Sequence, residues 1–222
     1  MLRKIALALM LTVCAVAAQA AGNGKQSARV ALPKPEKHGR ADQSGAAVDV
    51  VRGFYNQLLF TMQRGEKLGF QGRYDTLKPA IERAFNLPLM TRFAAGTGWT
   101  GADTAQQQKL VSAFSDFSIA TYAGRFKNFS DEKFEVLGEK PALGGAALVE
   151  TRLIAGDDPP VVLNYLLRRD DRNQWRINDV YLDATISELA TRRAEFSAVI
   201  KSDGVDALID NISGKAKTMQ SL

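Results

Sequence analysis

Residues 147–182 read ALVETRLIAGDDPPVVLNYLLRRDDRNQWRINDVYL, and their period of two decides the fold. Val149, Thr151 and Leu153 alternate with Leu148, Glu150 and Arg152, the pattern of a strand with two unlike faces. Gly156-Asp157-Asp158-Pro159-Pro160 is a turn. Val161, Leu163, Tyr165 and Leu167 then share one face of a second strand. A polar turn at Asp170 to Asn173 leads into a third strand from Trp175 to Leu182, and Lys133 to Leu137 alternates weakly upstream. Gly144-Gly145 lacks the strand–loop–helix context of a phosphate loop and reads as a hairpin turn. Four strands with tight connections predict an antiparallel meander.

On both sides the period changes to that of a helix. Val48, Val51, Phe54, Tyr55, Leu58, Leu59 and Met62 mark an amphipathic helix from Ala46 to Arg64, with Gly65 as its stop. Residues 72–85 form a second helix with Leu77, Ile81 and Phe85 on one face and Pro79 near its start. Asn86 caps a short third helix to Ala95, and Gly96-Thr97-Gly98 breaks the chain. Asp103 or Thr104 caps a long helix to about Phe126, and helical spacing returns from Thr185 to Ile200 and from Asp203 to Ile212, split near Gly204. Helices, then strands, then helices predict an α+β fold: a curved antiparallel sheet of about four strands with helices on one face. The enclosed space is either filled by side chains or left as a ligand pocket.

The N-terminus carries Arg3 and Lys4, an apolar run from Ile5 to Ala18, and the small-residue site Ala18-Gln19-Ala20. These are the parts of a secretory signal peptide, cleaved after Ala20 or Ala21, and the run is shorter than the roughly 20 residues of a membrane span. Residues 1–21 are thus expected to be removed, 22–45 to be a flexible leader, and 46–222 to be the working domain. Cys14 lies inside the apolar run after Val13, which disfavours a lipid anchor, and its loss leaves no thiol for a disulfide or a metal. Two of the 29 basic residues and none of the 24 acidic ones lie in the signal, so the remainder carries +3, too mild for a nucleic-acid binder.

Catalytic groups are scarce. The single histidine, His38, sits in the leader, so the core lacks the usual general base and the best nucleophile, and no metal cluster or cofactor motif is visible. Asp179 is the candidate carboxylate. On the face of Trp175 and Ile177 it would act as a base with a raised pKa, or else be held by an arginine or backbone amides, the reading preferred. Arg192-Arg193 beside Glu195 reads as a docking patch for an acidic membrane partner or, preferably, as an exposed helix face with an ion pair at close spacing.

The ordered series Gly98-Trp99, Phe114 through Tyr122-Ala123, Val161-Val162-Leu163-Asn164-Tyr165, Trp175-Arg176-Ile177-Asn178-Asp179-Val180, Arg193-Ala194-Glu195-Phe196 and Asp203-Gly204-Val205-Asp206-Ala207-Leu208 resembles the toluene-tolerance (MlaC) family of periplasmic lipid-binding proteins, over residues 48–212. Residues 179–190 look most like its hopanoid-associated HpnM branch, which has glycine where this chain has Ala184. The resemblance implies a monomeric periplasmic carrier without cofactor. It would hold phospholipid or hopanoid tails in an apolar cavity and exchange them with an inner-membrane transporter complex and an outer-membrane lipoprotein complex. Carried onto this chain, the cavity is expected to use Leu58, Phe117, Tyr122, Phe126, Val149, Leu153, Leu163, Tyr165, Trp175 and Ile177. Two other readings stay open: a small pocket enzyme with Asp179 as general base, and an assembly factor with a solid interior.

Overall fold

The structure, a computed structural model, describes residues 45–220. The expected signal peptide, Cys14, His38 and nearly all of the expected leader lie outside these residues. Among the described residues no helix is long and apolar enough to cross a membrane.

Helix α1 (Gly45–Met62) is followed by α2 (Gly65–Ala84), α3 (Leu87–Ala95), the single turn α4 (Thr97–Gly101) and the long α5 (Thr104–Arg125). The sheet then runs β1 (Lys133–Ala142), β2 (Ala146–Ile154), β3 (Val161–Arg169), β4 (Trp175–Leu182) and the two-residue β5 (Ile186–Ser187), and α6 (Glu188–Gln220) closes the domain. The fold is α+β as expected. The meander has five antiparallel strands in chain order rather than four, because β5 adds a short rung to β4 through Tyr181 and Leu182. The turn at Leu143–Gly145 joins β1 to β2 as a hairpin.

The local chemistry explains the element ends. Asp103 accepts from Gln106 N at 2.8 Å while the Gln106 side chain accepts from Asp103 N at 3.1 Å, a reciprocal cap that opens α5. Asn86 caps α3. Gly65 does not stop α1 but opens α2: a Cβ there would sit 1.7 Å from the Lys127 carbonyl oxygen, so only glycine lets the two backbones approach. Gly204, at φ 87°, breaks α6 where the helical spacing was expected to split.

The core lies between the inner face of the sheet and the helices. Phe54 of α1 is its hub. Its ring meets Phe85 edge-on at 5.1 Å and Tyr122 edge-on at 5.3 Å, and it reaches Tyr165 of β3 at 6.5 Å. Tyr55 packs on Phe134 and Tyr165, and its hydroxyl pairs with Thr151 Oγ1 at 2.6 Å. Burial pushes that phenol up to about 12.

Strand β4 carries the irregularity that matters most. Leu167 pairs with Ile177, but Leu166 pairs with Asp179, so Asn178 is an extra residue in the ladder. Side chains beyond it change faces. Val180 and Leu182 point to the core with Ile177, whereas Asp179 and Tyr181 do not. This corrects the expectation that Asp179 shares the face of Trp175 and Ile177. The junction Phe85–Asn86 clips onto the same strand, with Asn86 N donating to Ile177 O at 2.9 Å.

The turn from β4 to β5 places Asp183 at φ 50° and Ala184 at φ 61°. Alanine keeps the tight turn at the left-handed penalty of about 1–2 kcal/mol, partly offset because glycine loses more freedom on folding. Ala184→Gly is therefore expected to stabilise by about 0.5–1 kcal/mol. A thermal midpoint equal to or below that of the wild type would contradict this.

Candidate functional site

An apolar void lies between the helices and the bulged strand. Its wall is built from Ile81 and Phe85 at the end of α2, Leu87 and Met90 of α3, Val180 of β4, and Leu189 in the first turn of α6. Helix α5 contributes Phe114, Phe117, Ser118, Thr121 and Tyr122, two successive turns of one face. The bulge at Asn178 is what turns Val180 into this space. The void is about 60 Å³, less than half of the roughly 150 Å³ that accommodates benzene in an engineered cavity. A lipid-sized cavity is therefore not open in this conformation.

Charge is confined to one end. Glu188 and Arg192 also line the void. Arg192 is only 6% exposed, and its Nε and Nη2 donate to Glu188 Oε1 at 3.1 and 2.9 Å while Nη1 donates to Glu195 Oε2 at 3.0 Å. Its guanidinium lies 5.0 Å from the centroid of the Phe117 ring. The expected ion pair with Glu195 is present but buried, so Arg192 is not part of a surface patch. Arg193 instead covers the Phe93 ring at 5.0 Å. Arg125, in the last turn of α5, faces the same cluster. Burial, its largest influence, lowers its pKa to about 10, with Glu188 opposing that fall and Arg192 adding to it.

Burial raises the Glu188 carboxyl above its ordinary value of 4.5, against the pull of Arg192 and Arg125. Between 4.5 and that raised value the folded state binds more protons than the unfolded chain, so this group's contribution makes stability rise as pH falls. Wild-type protein should gain stability relative to Glu188→Gln between neutral pH and about pH 5, read from urea midpoints at both. Parallel pH profiles for the two proteins would refute it.

Of the residues expected at a cavity, Phe117 and Tyr122 line the void. Phe126 stacks on Tyr122 at 5.7 Å, behind the wall. Leu58, Val149, Leu153, Leu163, Tyr165 and Ile177 lie in the surrounding core and are all 5% exposed or less. Trp175 is half-buried at the end of the sheet under Arg169, whose guanidinium is 4.6 Å from its ring. The α2–α3 junction, Val180 and the α6 turn were not foreseen, because their meeting depends on the bulge and on the Asn86–Ile177 clip.

Asp179 is 7% exposed and is used for structure. Its Oδ1 accepts from Val180 N at 2.8 Å and Leu189 N at 3.1 Å, and its Oδ2 accepts from Ser187 Oγ at 2.6 Å. It ties the start of α6 to β4, as the backbone-amide reading had it. Among the described residues no group of three or more His, Cys, Asp or Glu is placed to hold a metal ion. A second depression of about 670 Å³ lies on the opposite face of the sheet, between Leu148, Leu166, Tyr181 and the Leu143 hairpin. It is a shallow shelf open to solvent.

The class of protein is thus an α+β domain whose helices close over an antiparallel sheet, leaving an apolar void with charge at one end. The chain belongs to the MlaC protein family, whose sequence profile matches residues 53–213. The intermembrane phospholipid transport system binding protein MlaC of Haemophilus influenzae is 22% identical over 135 residues, 59% of this chain. The match spans about 62% of that relative's length. A phospholipid-binding protein from Ralstonia solanacearum, solved in complex with a phospholipid, shares the fold with a TM-score of 0.68 and 21% identity over 78% of this chain and 98% of that one.

Proposed function

We propose that the protein is a periplasmic carrier that takes phospholipid acyl chains into an expanded form of the inner void. It would exchange them with an inner-membrane transporter complex and an outer-membrane lipoprotein complex, acting as a monomer without cofactor or catalysis. The observation that carries this reading is the apolar void walled by α2, α3, α5, β4 and α6 in a member of the MlaC family. The family relative named for phospholipid transport and the structural neighbour holding a phospholipid support it.

The 60 Å³ void is then the closed state. Its walls are mostly helices, which separate without breaking a strand ladder, and α3 ends at Gly96 while α6 breaks at Gly204. Each buried CH₂ contributes about 0.8 kcal/mol, so two acyl chains offset a costly opening. Apolar walls hold the chains without unpaired polar groups.

The test is native mass spectrometry of protein secreted into a bacterial periplasm, with extraction and identification of the bound lipid. One phospholipid per chain is expected. Protein that is empty and takes no labelled phospholipid from vesicles would refute the carrier reading. A bound polycyclic hydrocarbon alone would redirect it to the hopanoid cargo suggested by residues 179–190. Ser118, half-buried on the void wall, is the place to plug it. Ser118→Phe should cost about 1–3 kcal/mol of stability through overpacking and lower lipid occupancy by at least tenfold. Unchanged occupancy in the folded variant would remove the void from consideration as the lipid site.

A further inference from the structure

Beside the charged end of the void lies a guanidinium with one buried nitrogen unsatisfied. Arg125 Nη1 is buried and has no hydrogen-bond partner among the described residues. Arg192 is committed to Glu188 and Glu195, with two of its nitrogens on Glu188 Oε1, while Glu195 Oε1 in the same cluster is also buried without a partner. Buried polar groups in folded proteins are nearly always satisfied, so an orphaned one points to a missing partner. Arg125 lies one turn beyond Thr121, a wall residue, and interacts with Tyr122, Glu188 and Arg192, three more. The cluster of two arginines and two glutamates is neutral as a whole, so it neither repels an anion strongly nor satisfies Arg125.

We propose that this end of the void is a headgroup site in which Arg125 donates to a non-ester oxygen of a glycerophospholipid phosphodiester, so that the protein selects phosphate-bearing lipids over neutral ones. The inference rests on the carrier reading and deepens it. A planar guanidinium in a low-dielectric setting is suited to a phosphate oxygen, and bonds to charged groups are the stronger ones. A neutral lipid with the same tails fills the void but leaves Arg125 unsatisfied.

The experiment compares uptake from vesicles containing labelled dioleoylphosphatidylglycerol with uptake from vesicles containing labelled dioleoylglycerol, which has the same chains and no phosphate. Wild-type protein should favour the phospholipid by roughly tenfold or more, in line with one charge-assisted bond. Arg125→Met should take both about equally, with uptake read per folded chain. If Arg125→Met does not fold, Arg125→Gln serves the same comparison. Equal uptake of the two lipids by wild type, or a preference that survives loss of the guanidinium, overturns the headgroup site and leaves the carrier reading standing. Uptake of neither lipid by wild type overturns both. A large excess of inorganic phosphate should leave the preference unchanged; its loss would assign the site to free phosphate and overturn the headgroup reading.

Discussion

Asp179→Ala is expected to lower stability by about 3 kcal/mol. The carboxylate accepts from two backbone amides and from Ser187 Oγ, and it is 7% exposed. Removing it strands the Leu189 amide and the Ser187 hydroxyl in a site where water does not readily replace them, at about 1–3 kcal/mol for each unsatisfied group. It also removes the anchor for the first turn of α6, where a lost cap alone costs about 1 kcal/mol. Asp179→Asn is expected to be milder, about 1 kcal/mol. The amide oxygen still accepts from the backbone, and the amide nitrogen donates to Ser187 Oγ. Urea titrations of both variants check the pair. An alanine variant as stable as the asparagine one would show that the carboxylate does not hold the helix, and would return Asp179 to consideration as a general base.

Phe54→Ala is expected to cost about 4 kcal/mol, within the roughly 3–5 kcal/mol range for emptying a buried aromatic site. Phe54 is 2% exposed and its ring contacts Tyr55, Phe85, Tyr122 and Tyr165. The hole it leaves borders Phe85 and Tyr122, both part of the void wall. The carrier reading therefore gives this variant a second signature: lipid bound per folded chain should stay the same or rise while the chemical-denaturation midpoint falls. Loss of lipid in step with loss of structure would mean that the aromatic hub sets the pocket's shape and not only its support.

Much of the fold was legible because it depends on local pattern. The period of two in residues 161–169, the polar turn that follows and the capping residues Asn86 and Asp103 state their structures without reference to distant partners. The helix end at Gly65 depends on a distant partner. Gly65 has the composition of a stop and the position of a start, because what requires glycine there is the Lys127 carbonyl, 62 residues away in the chain. The chain is helical from Gly65, but Gly69 at φ 59° kinks it, so the continuous helix that follows starts close to the expected residue 72; the turn before the kink is tied to it by Arg73, whose Nε and Nη1 donate to Ala123 O and Gly65 O at 2.7 and 2.8 Å.

Of the void's lining, Phe117 and Tyr122 are legible in the sequence, since they lie on the broad aromatic face of a long helix. Strand residues such as Val149 and Leu163 carry the same apolar signature, yet they sit in the surrounding core. Hydrophobicity reports that a side chain leaves water; it does not report whether it meets another side chain or a gap.

The amino-acid sequence by itself determined the order of helices and strands, the antiparallel meander and the scarcity of catalytic groups, because each follows from residue type and short-range periodicity. Tertiary structure alone decided the face of Asp179, the position of the void and the company of Arg125. A single extra residue at Asn178 inverts the faces of β4, and only pairing with β3 reveals it. Likewise, four charges spread over 70 residues become one buried cluster only when α5 and α6 lie together. Side-chain direction in a strand and the balance of buried charge are properties of what lies opposite, and that information is not local.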